Sequence, residues 1–231
     1  MMLMGNVVVN TFIQGGPIMW PLLLCSLVAV GVIAERVFWW ANEAKKFDPE
    51  RLERIYDALA KKDLAVASGL ARNSADPRIA MIWQGLNHHH HSMRGAMEVE
   101  AGDRMEKAAQ GLSILDTIIT LGPLLGLLGT VTGIMHSFNF VGAEEVAAVK
   151  VSGGIAEALI ATACGLAIAI LALIPFNYFN RRLSKLRFQL ENAATNVEVL
   201  LGNKADEETP PFSAEPAGRA VVLASKAEEA T

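Results

Sequence analysis

Three stretches of this chain carry no charged side chain at all: Met1 to Ala34, Thr117 to Ala143 and Ala158 to Asn180. A bilayer-spanning helix needs about 20 mostly apolar residues, and each stretch supplies them. Inside lipid the backbone has to satisfy its own hydrogen bonds, which restricts such runs to helices. The remaining composition agrees, with 52% hydrophobic and only 19% charged residues, more apolar than a soluble domain of this size. The expected fold class is therefore all-α: an integral membrane protein with three transmembrane helices and long cytoplasmic helical extensions.

The first run has no basic residue ahead of its apolar core and no small-residue cleavage site, so it reads as a retained helix over residues 17–40 behind a short segment, 1–16. Pro17 and Pro21 suit its first turn, where a missing N–H costs little. Trp20 at one end and Trp39 and Trp40 at the other have the character of interfacial anchors. Of the 20 Lys and Arg residues, twelve lie from Arg36 to Lys107, seven from Arg181 onward, and Lys150 alone between the second and third runs. Basic residues stay on the cytoplasmic side. The expected topology places the N-terminal segment in the periplasm, the long loop 41–110 in the cytoplasm, a short outer turn at 141–152 and the C-terminal part inside. A net charge of −4 with no concentrated basic patch gives no sign of a nucleic-acid partner.

Within the long loop, Leu52, Ile55, Leu59 and Ala60 recur at helical spacing over Pro49 to Leu70. The run Arg72-Asn73-Ser74-Ala75-Asp76-Pro77 should end that helix, with Asp76 capping the next. A further helix through Glu98, Glu100, Asp103, Arg104, Glu106 and Lys107 is expected to continue into the second span without interruption. His88 to His91 form a tract, but consecutive helical side chains diverge by about 100°, and no Cys or spaced His completes a metal site. A solvated stretch is the simpler account, and no metal or other cofactor is expected. Cys25 and Cys164 both fall inside spans, as small packing residues and not a disulfide. Residues 181–204 read as a cytoplasmic helix, and 205–231, from near Asp206-Glu207-Glu208-Thr209-Pro210-Pro211 onward, as a disordered tail.

The second span, 111–140, repeats Gly122, Gly126, Gly129 and Gly133 on one helical face. The third, 153–180, carries Gly154, Ala158, Thr162, Gly165 and Ala169. Small-residue faces let helix backbones approach closely in lipid, so these two spans are built to pack. Thr130 and Thr162 lie on or beside those faces, about ten and nine residues below the outer turn, and so at similar depth. Glu157 lies about 7 Å further out than Thr162 on the same helix. An ionisable group inside a span marks an ion or proton path, which makes Thr130, Thr162 and Glu157 the pathway candidates and Asp116, at the inner end of the second span, a secondary one. His136 reads as an interfacial polar residue. A threonine does not titrate, however, and no carboxylate of this chain lies at the threonines' depth. Either Glu157 suffices or a partner chain supplies the group. No nucleophile with its base and no phosphate-binding Gly-Lys motif is present, so the chain is not expected to be an enzyme.

In G-P-L-L-G-L-L-G-T-V-T-G-I at Gly122 to Ile134 and G-I-A-E-A-L-I-A-T-A-C-G-L at Gly154 to Leu166, the chain resembles the MotA/TolQ/ExbB proton-channel family, most of all its ExbB and TolQ branch. Glu35-Arg36 at the end of the first span is similar to the family too. The resemblance implies a bacterial inner-membrane subunit assembling as a homo-oligomer, a pentameric helical bundle around a dimer of single-span partners of the ExbD or TolR kind. It implies that the partner carries the membrane carboxylate, that proton flow drives the motor, and that a TonB-like or TolA-like transducer carries the motion outward. Thr130, Thr162 and Glu157 match the family's functional polar positions. Two other readings differ in output or class: a stator for gliding or flagellar rotation, and a non-conducting scaffold whose threonines only pack helices. A metal carrier using the histidines is weaker than either.

Overall fold

The computed structural model describes residues 10–88, 92–138 and 147–202. The expected tail at 205–231, most of the segment 1–16, residues 141–146 of the outer turn and His89 to His91 lie outside the described residues. Among the described residues, 10–14 are helical, and there follow α1 Met19–Ala44, α2 Pro49–Ala60, α3 Leu64–Ala71, α4 Pro77–Asn87, α5 Met93–Ala109, α6 Leu112–Phe138 and α7 Ala147–Leu201. Three helical stretches are long and apolar enough to cross a bilayer: α1, the part of the chain ending in α6, and α7. All-α architecture with three such helices is what the charge-free runs require.

Two groups of helices share α7. In the first, α1 and α6 lie against its N-terminal half, around a core of Ala29, Leu112, Leu115, Ile118 and Phe179. The outward faces are apolar, with Leu24, Leu27 and Phe38 of α1, Leu124 and Leu127 of α6, and Ile170 and Ile174 of α7 all exposed. Apolar surface that continuous belongs against lipid or other helices. In the second group, α2 to α5 wrap the C-terminal half of α7 and bury Ile55, Leu59, Ala67, Ile79, Ile82 and Met97 with its Leu190 and Val197. Trp40 packs against both cores.

Each helix of the second group starts with a side-chain cap, the position where Asp and Ser satisfy amides that the helix leaves unpaired. The Arg51 amide donates to Asp48, Val66 to Asp63, Arg78 to Asp76 and Gly95 to Ser92, all at 2.9–3.1 Å. Asp76 thus caps α4 as its place before Pro77 predicted. It does more, because it is completely buried and its Oδ2 also accepts from the Asp48 amide at 2.8 Å and from the Arg78 guanidinium at 2.6 Å. Arg51 ties down the end of α3 by donating to the carbonyls of Leu70 and Arg72.

Two expectations need correction. Pro49 to Leu70 is not one helix. It breaks at Lys62, whose φ of 58° is left-handed, and restarts on the Asp63 cap. The helix through Glu98 to Lys107 also fails to continue into the second span. The backbone is extended at Gln110 and left-handed at Gly111, φ +77°, a turn that favours glycine. That interruption leaves the Lys107 carbonyl without its helical partner, and Arg36 of α1 replaces it, donating from Nη1 at 3.1 Å. Arg36 is itself almost fully buried, paired with Glu35 and stacked near Trp39. In contrast, α7 continues unbroken through the boundary read at 180/181, across Pro175.

Candidate functional site

The two small-residue faces meet. A Cβ added to Gly122 would lie 3.0 Å from the Gly165 carbonyl oxygen, one on Gly126 2.9 Å from Thr162 Cα, and one on Gly133 3.1 Å from both Ala158 Cβ and the Gly154 carbonyl oxygen. Gly129 faces Ala161 and also Ile18, just before α1. At the connection end Ser137, buried and donating to Gly133, occupies the space that a Gly154 side chain would take. The antiparallel register is therefore 122 against 165, 126 against 162, 129 against 161 and 133 against 154 and 158. Backbone-to-backbone approach of this kind is what glycine permits in lipid-facing helices.

Most spanning hydroxyls turn back on their own helix, the ordinary behaviour of Ser and Thr in apolar surroundings. Thr117, Thr120, Thr132 and Ser137 all do so, and so does Thr130, donating to the Leu127 carbonyl at 2.6 Å. Thr162 differs. Its Oγ1 donates across the interface to the Gly126 carbonyl at 2.8 Å. By helix geometry that carbonyl also faces the Thr130 amide, four residues on, so both threonines converge on one peptide group of α6. The register sets Thr130 level with position 160, about 3 Å toward the connection end from Thr162.

Glu157 is half-buried one turn and a half along α7. No hydrogen bond among the described residues joins it to either threonine; its carboxyl instead lies against Gly16, in the turn ahead of α1. Asp116 is exposed at the far end of α6 and about 15 Å along the helix from Gly126. The structure does not bring it to the threonines. His136 is also exposed. His88 closes α4, its ring against the Gln84 carbonyl, and no group of three or more potential metal ligands occurs among the described residues.

Sequence reasoning missed the neighbours that complete the site. The sequence reading leaves Gly15 and Gly16 in the leading segment 1–16, although a Gly-Gly pair before Pro17 signals a tight turn. Arg36, about 30 Å along α1 from that turn and outside the site, enters the sequence reading as a charged residue and through the resemblance, yet a cation at the end of a charge-free run asks for a partner.

Residues 64–192, which include α3 to α6, the glycine faces and Thr162, match the model of the MotA/TolQ/ExbB proton channel family. The chain belongs to this family. Among family relatives, biopolymer transport protein ExbB-like 1 of Synechocystis is 38% identical over 175 residues, 72% of this chain and 68% of its own length. The Tol-Pal system protein TolQ of Pseudomonas aeruginosa is 40% identical over 110 residues, 47% of this chain and 48% of its own. The biopolymer transport protein ExbB of Pseudomonas putida is 38% identical over 101 residues, 43% of this chain and 31% of its own. Family membership identifies the apolar helices as membrane helices and associates the chain with proton channels that energise transport or envelope systems.

Proposed function

We propose that this chain is the proton-conducting subunit of an inner-membrane motor driven by the proton-motive force, with Thr130, Thr162 and Glu157 along the pathway and the titrating carboxylate supplied by a single-span partner of the ExbD or TolR kind. The observation that carries this reading is the Thr162 hydroxyl. Its one hydrogen is committed to the Gly126 carbonyl, so its lone pairs remain as acceptors for a water or a protonated carboxyl at a depth where this chain has no acid of its own. A group that only accepts and relays cannot complete a proton step, which requires a neighbour that takes up and releases the proton. A partner helix inside a homo-oligomer, a pentamer in this reading, meets that need, and a TonB-like or TolA-like protein would carry the motion onward.

The distribution of Lys and Arg supports an orientation with α2 to α5 in the cytoplasm and the α6–α7 connection in the periplasm. Asp116 then stands at the cytoplasmic end of α6, outside the core of the pathway. The test is proton flux into liposomes holding the chain and its partner, under an imposed membrane potential. Thr162→Val and Glu157→Gln should each reduce the flux strongly; flux equal to that of the unaltered protein in both variants would refute the conducting role given to these residues and favour the scaffold reading.

A further inference from the structure

Glu157 is half-buried within a membrane helix, and no hydrogen bond or ion pair with another described residue is formed by its carboxyl. The Gly16 main chain lies against it. Gly15 and Gly16 form the turn that begins α1, with the Gly15 amide donating to the Thr11 carbonyl at 3.0 Å and the Met19 amide to the Gly16 carbonyl at 3.1 Å. The turn lies across both packed spans: Gly15 beside Ile160, Ile18 against Gly129, and Gly16 against the Glu157 carboxyl. A Cβ on Gly16 would overlap Glu157 Oε1 and come within 2.6 Å of its Cδ and 3.1 Å of its Cγ. The carboxyl therefore fills the volume that any side chain at position 16 would need. Gly16 has φ +72°, so the backbone too favours glycine there.

A second observation points the same way. The first turn of α1 has no side-chain cap and no acidic residue of its own, although the positive end of a helix dipole favours a negative group nearby. Glu157, from a different helix, is the carboxyl that lies at that end.

We propose that the Gly15–Gly16 turn is a positioning element for Glu157, seating its carboxyl at the start of α1 and making the segment ahead of the first span part of the pathway site. The functional side of this rests on the reading of Glu157 given above; the contact itself does not. The experiment is a size exchange. Gly16→Ala is made alone and combined with Glu157→Asp, one methylene shorter, and with Glu157→Ala, where the added methyl finds room. Proton flux in liposomes and the thermal unfolding midpoint in detergent are both measured, with Gly102→Ala, whose Cβ meets nothing within 4 Å, as control. Gly16→Ala should lower flux about tenfold, a coupling of the size that contacting residues show, and Glu157→Asp should bring the double variant back to the level of Glu157→Asp alone. The midpoint should fall for Gly16→Ala and recover in part in both combinations, the left-handed backbone at position 16 keeping the same share of the loss in every background. Should Gly16→Ala fail to fold alone yet fold beside Glu157→Ala, the seating stands. Equal losses in all three backgrounds, by both measurements, would overturn it. If the midpoints couple while flux ignores Glu157 altogether, the seating holds and the conducting role of Glu157 is the part that fails.

Discussion

The close packing of α6 on α7 at Gly126 offers a sharp test, because Gly126→Ala has a magnitude that can be worked from distances. The new methyl would stand 2.9 Å from Thr162 Cα, 3.2 Å from the Ala161 carbonyl oxygen and 3.3 Å from the Thr162 carbonyl oxygen. All three are backbone atoms, so no side chain can swing away. Restoring a normal carbon–carbon contact of about 3.5–4.0 Å requires the helices to part by about 0.6 Å or more. Overpacking of this kind costs about 1–3 kcal/mol. The same separation stretches the Thr162–Gly126 hydrogen bond beyond its useful range, adding about 0.6 kcal/mol at the average found in membrane helices. Opposing these, Ala exceeds Gly in helix propensity by up to about 1 kcal/mol. The net expectation is a loss of roughly 1–3 kcal/mol. Gly153→Ala is the reference, since its Cβ meets nothing within 4 Å and only the propensity gain applies. Unfolding by SDS titration in mixed micelles, followed by far-ultraviolet circular dichroism, measures both. A Gly126→Ala protein as stable as the Gly153→Ala protein would refute the register and the close packing built on it.

Two further predictions concern the helical domain around the end of α7. Asp76→Ala leaves the Arg78 guanidinium, 13% exposed, and the Asp48 amide without their acceptor, so it should cost about 3–5 kcal/mol, as breaking a buried pair does; hydrogen exchange in α4 measures it, and a change below about 1 kcal/mol would be incompatible with this geometry. Burial pushes the Tyr56 phenol above its usual pKa, more than its hydrogen bond with Asn196 and the nearby Arg78 pull it down. Because the folded state favours the neutral phenol, that stabilisation is complete below pH about 10 and is lost as pH rises through the raised folded value. The stability difference between the protein and Tyr56→Phe should accordingly shrink above that pH; a difference constant from neutral to strongly alkaline pH would sink the argument.

The spans were legible because charge-free length and glycine at three- and four-residue steps are local patterns with one structural solution. The cap at Asp76 was legible for the same reason. Its second bond, to the Asp48 amide, was not, since it joins two helix starts across a folded domain. The break at Lys62 was hidden because a non-glycine residue takes the left-handed conformation there, supported by the Asp63 cap. That at Gly111 depends on Arg36, far away in sequence, to satisfy the carbonyl the break exposes. At the candidate site, sequence placed Thr162 on the packed face but could not decide between its own helix and the neighbour as hydrogen-bond partner. That choice turns on a fraction of a helical turn in the register. Glu157 was legible as a misplaced charge; the bare glycine it rests on was not.

One consequence of α7 concerns mechanics. Its 55 residues make a rod about 80 Å long, with one half packed among the membrane helices and the other forming the spine of a folded domain. A tilt of about 10° around its midpoint would carry each end sideways by roughly 7 Å, the product of a half-length of about 40 Å and the sine of that angle. Pro175 lies between the halves and removes one helical hydrogen bond, yet the helix runs on across it. Work done on the small-residue interface is therefore geared directly to the domain beyond the membrane, as on the two arms of a single beam.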